Sequence, residues 1–509
     1  MKINPLKEIL LEIKKFQSIE ALLSWDQETY MPDESGDIRA EHISFLNTLA
    51  HQLHTGERFQ ALLKDYVDLE TGSIKNNKAN DETKRFLHLV WKDYHTASAL
   101  PQDFVKEYSL HTSKSQQIWQ KARINNDFKM FAPYLEKMIE LKKKEAEYYG
   151  YKTTPYDALL DNYEPEMTSD KVTAYFYELK EYLVSLVKRI KNSTVHIDET
   201  PLNRDFDENK QWDFTLRVID DMGFSMKKGR QDRSAHPFTT NFHPTDVRIT
   251  TRTDKNNLKT GLFGTIHETG HGLYEQGIKI EDYGTPFGEA ISYGIHESQS
   301  RLWENMVGRN SNFWEYYFPI LSSLFKESLN DIDLPTFYKM INAVNPSLIR
   351  VEADEVTYSL HIILRFDIEL MLINGNLRVK DLPDIWNEKM NEYLGITPPD
   401  YKTGVLQDIH WSMGYFGYFP TYALGNIYAA MIWNRAQLEN PKWTSQFREG
   451  NFLSLKKWLN EKVHHIGRRK TAEELIYNIT EQSVSAKPFI YYLENKYSGI
   501  YNLPRIETK

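Results

Sequence analysis

The sequence has no cysteine, which excludes disulfides, thiolate nucleophiles and thiolate metal ligands together. Any metal must then be held by His, Asp or Glu, and the absence fits the cytoplasmic location expected here. Excess positive charge is missing too: 62 Lys and Arg stand against 71 Asp and Glu, a net charge of −9. That balance gives no reason to expect nucleic acid or an anionic membrane as partner. The N-terminus lacks a secretory apolar region, because Met1-Lys2-Ile3-Asn4-Pro5-Leu6-Lys7-Glu8 reaches acidic residues too soon. Only Trp411 to Trp433 is uncharged and long enough to need checking as a membrane span. Its Gly414, Gly417, Pro420, Gly425 and Asn426 would be costly in lipid, so buried protein is expected.

What is present is an ordinary soluble composition, 40% hydrophobic and 26% charged, with 31 Tyr, 25 Phe and 11 Trp. A chain of 509 residues can bury a large core and line a deep cleft. Apolar residues at three- and four-residue spacing predict helices near 6–24, 36–53, 79–98, 127–149 and 168–192. One region reads as extended. Between Ala235 and Thr253, Thr, Val and Ile alternate with polar residues in Asp246-Val247-Arg248-Ile249-Thr250-Thr251, which predicts a short strand or hairpin. Helix resumes near Leu258. The expected fold class is all-α, mainly helical, with one small β-sheet just before the motif described next. No repeat or clear linker divides the chain.

That motif is His267-Glu268-Thr269-Gly270-His271. Residues four apart on a helix share a face, so the two imidazoles can hold one ion. Glu268 lies about 100° from His267, near enough to reach a water on that ion without ligating it. A catalytic zinc site needs a third protein ligand and an open position. Glu289 and Glu297 are both candidates on a helix predicted from Phe287 to Val307, and spacing does not separate them. Glu275 reads as a surface residue, with support of His271 as the alternative.

Further blocks carry a resemblance. The run Ile295-His296-Glu297-Ser298-Gln299-Ser300-Arg301 follows the motif, and His236-Pro237-Phe238 and Asp246-Val247-Arg248-Ile249-Thr250 precede it. Ile349-Arg350-Val351-Glu352-Ala353-Asp354, Gly404-Val405-Leu406-Gln407-Asp408-Ile409-His410-Trp411 and the early Leu23-Ser24-Trp25-Asp26-Gln27-Glu28-Thr29-Tyr30-Met31-Pro32 complete the set. Together and in this order they resemble the carboxypeptidase Taq family of metallocarboxypeptidases. The resemblance implies an elongated, two-lobed helical body with a deep central groove, similar to neurolysin and angiotensin-converting enzyme. It implies one helical domain over 1–509, with about 1–230 as one wall and roof and about 231–509 as the catalytic half. It also implies Glu297 as third ligand, one Zn²⁺ per chain with Co²⁺ as a substitute, and a homodimer. The activity implied is removal of single residues from peptide C-termini with broad tolerance.

Within that frame Glu268 is the general base and acid. The developing oxyanion needs fixed donors, for which His410, Tyr422 and Tyr418 are the candidates, in the uncharged stretch. A free carboxylate calls for an Arg fork; Arg350 is favoured, Arg248 is the alternative, and an ion pair with a nearby acid is the structural reading of each. His236, Gln407 and Asp408 are expected to shape the far side of the groove, Asp408 also as an orienter of His410. Trp25 to Thr29 is expected to lock the N-terminal helices. The competing functions are an oligoendopeptidase on the same fold and a non-catalytic, metal-bound peptide-binding scaffold; the presence of Glu268 argues against the second.

Overall fold

The computed structural model describes residues 3–76 and 78–504; Met1 and Lys2 of the N-terminal run lie outside them. The expected helices form as α1 (Asn4–Gln27), α2 (Gly36–Thr55), α3 (Asp81–Ala99), α5 (Phe128–Tyr149) and α7 (Ser169–Lys191). Between them lie α4 (Gln102–Asn125) and the short α6 (Pro155–Leu160), and α8 (Glu208–Asp221) follows. Side-chain caps fix several starts: Asn80 accepts from Thr83 N, Asp127 from Met130 N and Thr168 from Lys171 N.

The extended region is a hairpin, β2 (Thr239–His243) antiparallel to β3 (Asp246–Thr251). A third strand, β1 (Gly229–Arg233), pairs in parallel with the other edge of β3. Its sequence Gly-Arg-Gln-Asp-Arg has no apolar alternation, which is why no strand is predicted there. Val247 and Ile249 are buried on β3, and Thr265 Oγ1 donates to Thr251 Oγ1 at 2.8 Å, tying the sheet to α9 (Leu258–Gly277). The sheet therefore lies beside the helix that carries the motif, as expected. Asn257 caps α9 by accepting from Thr260 N.

Helix α9 is buried around most of its circumference, with Leu, Phe, Ile and Gly interleaved with buried Thr and Glu. It packs on α10 (Tyr293–Arg301), which in turn packs on α12 (Pro420–Glu439). Two glycines permit these close approaches. A Cβ at Gly270 would lie 2.6 Å from Ser300 Cα, and one at Gly425 would lie 2.5 Å from Glu297 Cγ. Helix α11 (Tyr358–Ile373) also packs on α12. Trp411 and almost all of α12 to Trp433 are buried in protein, and no described helix is long and apolar enough to cross a membrane.

Helices α1, α2 and α3, with Phe59, Leu63 and Val67 between α2 and α3, build a smaller core of their own into which Phe287 is inserted. The block around Trp25 locks it in place. Arg39 of α2 pairs with Asp26 at 2.6 Å and donates to Leu23 O, while buried Trp25 lies under the Arg248 guanidinium of β3 at 4.3 Å.

Candidate metal centre and active site

The two motif histidines and Glu297 meet at the crossing of α9 and α10. His271 Nε2 is 3.5 Å and His267 Nε2 3.7 Å from Glu297 Oε2, and the three donor atoms lie within 4.8 Å of one another. Ligands at about 2.0–2.2 Å around a tetrahedral ion stand roughly 3.4 Å apart, so the triangle fits one small divalent cation. Two imidazoles and a carboxylate are also the donor set that suits zinc. Glu289 is elsewhere. The predicted helix from Phe287 starts only at Tyr293, where Ser292 caps it, and Glu289 sits in extended backbone before that point, paired with Lys14 at 2.7 Å.

The triangle is held from behind. Arg301 Nε donates to Glu297 Oε1 at 2.7 Å, and Glu304 Oε2 lies 2.9 Å from His267 Nδ1. Arg301 and Arg309 each reach Glu304 at 3.3 Å. Burial alone would raise the Glu297 carboxyl, but Arg301 and the two imidazoles hold it far below the usual carboxylate range. His271 is pushed down to about 3, first by burial and then by neighbouring His296, which leaves it a neutral imidazole. His267 behaves oppositely: Glu297 and Glu304 outweigh burial and raise it, so the pocket favours positive charge there. Glu304 was not singled out from the sequence, and Arg301 entered only as the end of the block from Ile295, although 297, 301 and 304 follow a four- and three-residue spacing.

Glu268 is buried beside the triangle, with Thr239 Oγ1 of β2 at 2.6 Å from its Oε2. Burial pushes its carboxyl up, toward the range useful to a base. Glu275, read as a surface residue, is instead buried and accepts from His296 and Asn241.

Facing α10, the stretch from His410 forms a tight turn and then enters α12. The His410 ring lies over Phe419 at 4.5 Å, and its Nε2 is 3.5 Å from Tyr422 Oη. Tyr418 packs edge-on against Tyr422 at 5.2 Å and against Tyr163 at 5.1 Å. Burial lowers His410 to about 3 and raises both phenols, so the imidazole is neutral and the hydroxyls keep their protons.

Arg350 is buried beside Tyr422. Its Nε donates to Asp408 at 3.0 Å and its Nη1 to Tyr358 Oη at 3.3 Å, with the guanidinium 5.2 Å from the Tyr422 ring. Asp408 is shared with Arg365 of α11 at 2.5 Å, a residue that sequence reading missed. Its distance to His410 Nδ1 is 3.9 Å, so its main contacts are the two arginines rather than the imidazole. Gln407 sits behind the same group: it accepts from Arg350 N and Arg365 Nη2 and donates to Leu348 O and Thr403 O. Arg248 is placed apart from this cluster, gripped twice by Asp246 and sandwiched between Trp25 and Phe242. His236 is exposed in the connection between β1 and β2.

Two buried glutamates anchor these parts. Glu164 accepts from Ser292 Oγ and Gly294 N at the start of α10 and from Tyr428 Oη, each at 3.0 Å. Glu369 accepts from Tyr156 Oη at 2.7 Å, Trp411 Nε1 at 2.9 Å and Gly417 N at 3.0 Å, pinning the turn after His410. Burial pushes Glu369 from the ordinary 4.5 up to about 7. The folded protein thus keeps a proton that the unfolded chain releases. This stabilisation is full below about 4.5 and is lost as the pH rises to about 7, an effect of roughly 3 kcal/mol. Glu369→Gln, which does not titrate, should therefore compare less and less unfavourably with wild type between about pH 5 and about pH 7.5 in urea midpoint. A deficit that grows with pH would contradict the assignment.

A fold of packed helices that presents an HExxH pair, a third carboxylate and a buried base at one point defines a helical metallopeptidase. The comparisons narrow this. The chain belongs to the carboxypeptidase Taq (M32) metallopeptidase family, whose model matches residues 5–497. It is 41% identical over 506 residues to thermostable carboxypeptidase 1 of Thermus thermophilus, and 39% identical over 496 residues to carboxypeptidase 1 of Bacillus subtilis. Each alignment covers 97% of this chain and 98% of the relative. Among solved structures, an M32 carboxypeptidase from Deinococcus radiodurans superposes with a TM-score of 0.94 at 38% identity, covering 98% of this chain and 99% of that one. The Pyrococcus furiosus carboxypeptidase gives 0.92 at 34%, covering 97% and 98%. The expected fold class and the metallocarboxypeptidase function are both borne out.

Proposed function

We propose that this metallocarboxypeptidase binds one Zn²⁺ through His267, His271 and Glu297 and removes single residues from peptide C-termini. Bound there, the cation would polarise a carbonyl and make water acidic enough to attack at neutral pH. Glu268 takes a proton on its carboxylate during attack and passes it to the leaving amine. Tyr422, with His410 and Tyr418 beside it, donates to the developing oxyanion.

The observation that carries C-terminal specificity is the charge of the buried cluster beside Tyr422. Arg350 and Arg365 share one carboxylate, Asp408, while His410 is neutral. One positive charge remains unmatched, and Arg350 Nη2 has no hydrogen bond among the described residues. A substrate carboxylate would supply the missing anion in a fixed orientation. Arg248, already paired and sandwiched, has the weaker claim, and His236, Gln407 and Asp408 serve as surroundings of the groove and supports of Arg350. Arg350→Ala should raise KM by roughly 30-fold, about 2 kcal/mol, and change kcat less. Unchanged kinetics would remove Arg350 from the role.

The same reading takes Co²⁺ as a substitute metal, a homodimer as the assembly, the cytoplasm as the location and one helical domain in two halves. The deciding experiment is a digest of a peptide and its C-terminally amidated twin, followed by mass, with metal content measured in parallel. Stepwise loss from the free C-terminus, blocked by a chelator, is expected. Equal cleavage of both peptides would favour an oligoendopeptidase, and no cleavage of either would favour a binding scaffold.

A further inference from the structure

We propose that His296 positions the second metal ligand, His271, by ring stacking rather than by hydrogen bonding. The inference rests on the reading that His267, His271 and Glu297 hold a cation. The two motif imidazoles are supported in different ways. His267 has a carboxylate behind it, with Nδ1 2.9 Å from Glu304. His271 has none: its Nδ1 is buried and meets no hydrogen-bonding group of the described residues. A ligand imidazole without such a partner is free to rotate about its side-chain bonds unless packing stops it.

Packing stops it here. The His296 ring lies on the His271 ring with centroids 4.5 Å apart and planes only 24° from parallel. Its other neighbour is Tyr274, at 5.3 Å, and Tyr274 in turn lies 5.0 Å from the ring of buried His464. A column of four rings therefore runs inward from the donor triangle. His296 itself is clamped, because its Nε2 is 2.7 Å from Glu275 Oε1 and the second oxygen of Glu275 accepts from Asn241 of β2. Tyr274 is fixed at its far end, its hydroxyl accepting from Ile291 N at 3.2 Å. The rotation open to His271 is thus limited by a ring that cannot itself turn.

Two substitutions separate the stack from the clamp. His296→Phe keeps a ring against His271 and loses the hydrogen bond to Glu275; His296→Gln keeps a hydrogen-bonding group and loses the ring. The dissociation constant for Zn²⁺ would be measured on the full chain by competition with a chromogenic chelator, and the Co²⁺-loaded protein compared by visible absorption. His296→Gln should weaken Zn²⁺ binding by roughly 10–100-fold, the range for groups that orient a ligand, and shift the Co²⁺ spectrum. His296→Phe should stay within about threefold of wild type and keep the spectrum. Melting of the metal-free proteins checks that both fold, and the Phe arm alone still tests the idea if the Gln variant does not. Equal affinity in all three proteins overturns the proposal, as does a Phe variant no better than Gln. A raised peptide KM with unchanged Zn²⁺ affinity also overturns it, by making His296 a substrate contact. A wild-type chain that binds no Zn²⁺ would instead sink the underlying metal-site reading.

Discussion

Glu268→Gln is expected to leave the cation in place and lower kcat by roughly 10³–10⁴-fold. Glutamine has the shape of glutamate and can still meet Thr239 Oγ1, which lies 2.6 Å from the carboxylate. What it lacks is any ability to take a proton and return it. Glu268 is outside the donor triangle, so metal content should stay at one per chain. Stability should hold or rise, because a buried carboxylate whose ionisation is opposed by burial is replaced by a neutral amide. The measurements are kcat on a peptide with a free C-terminus, bound zinc, and the melting temperature. Turnover within about tenfold of wild type would show that another group is the base.

Much of this site was legible because its first parts are local. The motif sits on one helix face, and periodicity places His267, Glu268 and His271 without knowledge of the rest. Apolar periodicity placed the helices near 79–98 and 168–192, and the structure adds the rule that a capping side chain, Asn80 or Thr168, precedes the repeat. The same rule, applied to Ser292, would have started α10 at Tyr293 and removed Glu289 from consideration. Spacing alone left two glutamates, and family resemblance chose between them. Groups whose partners are far away in sequence were not legible. Arg365 looks like an isolated charge in an apolar helix until it meets Asp408, 43 residues on. Glu275 looks like a surface carboxylate because its partners, His296 and Asn241, come from another helix and a strand. Strand β1 was invisible for a related reason: its pairing is supplied by β3, and its own residues carry no alternating pattern. Spacing could not show that Arg248 is gripped by Asp246 between two aromatic rings while Arg350 shares its one carboxylate with Arg365, because all of these partners come from packing.

Glu297→Ala should lose the metal, and Glu289→Ala should keep it. Removing Glu297 deletes one of three donors and also takes from Arg301 the carboxylate that accepts from its Nε at 2.7 Å, leaving it only Glu304, which Arg309 shares. The site would then hold two imidazoles and one negative charge fewer beside the Arg301 guanidinium, a field less favourable to a cation. The loss should exceed the roughly 10–100-fold that orienting groups are worth, and activity should follow it at ordinary metal concentrations. Glu304→Gln supplies the internal scale, because it leaves all three donors in place, weakens the support behind His267 Nδ1 and the pairing with Arg301 and Arg309, and should fall within that smaller range. Glu289→Ala frees Lys14 in the wall of a cavity of about 710 Å³ that His296 also lines, which can alter peptide binding but not the donor set. Zinc affinity by chelator competition checks all three, ordered Glu297→Ala weakest, then Glu304→Gln, then Glu289→Ala near wild type. If Glu289→Ala lost the metal while Glu297→Ala retained it, the crossing of α9 and α10 would not be the metal site. The close approaches would then need another explanation, since Gly270 lets α9 meet the α10 backbone at Gln299 and Ser300, and Gly425 lets α12 pack on the side chain of Glu297, whose carboxylate faces both histidines.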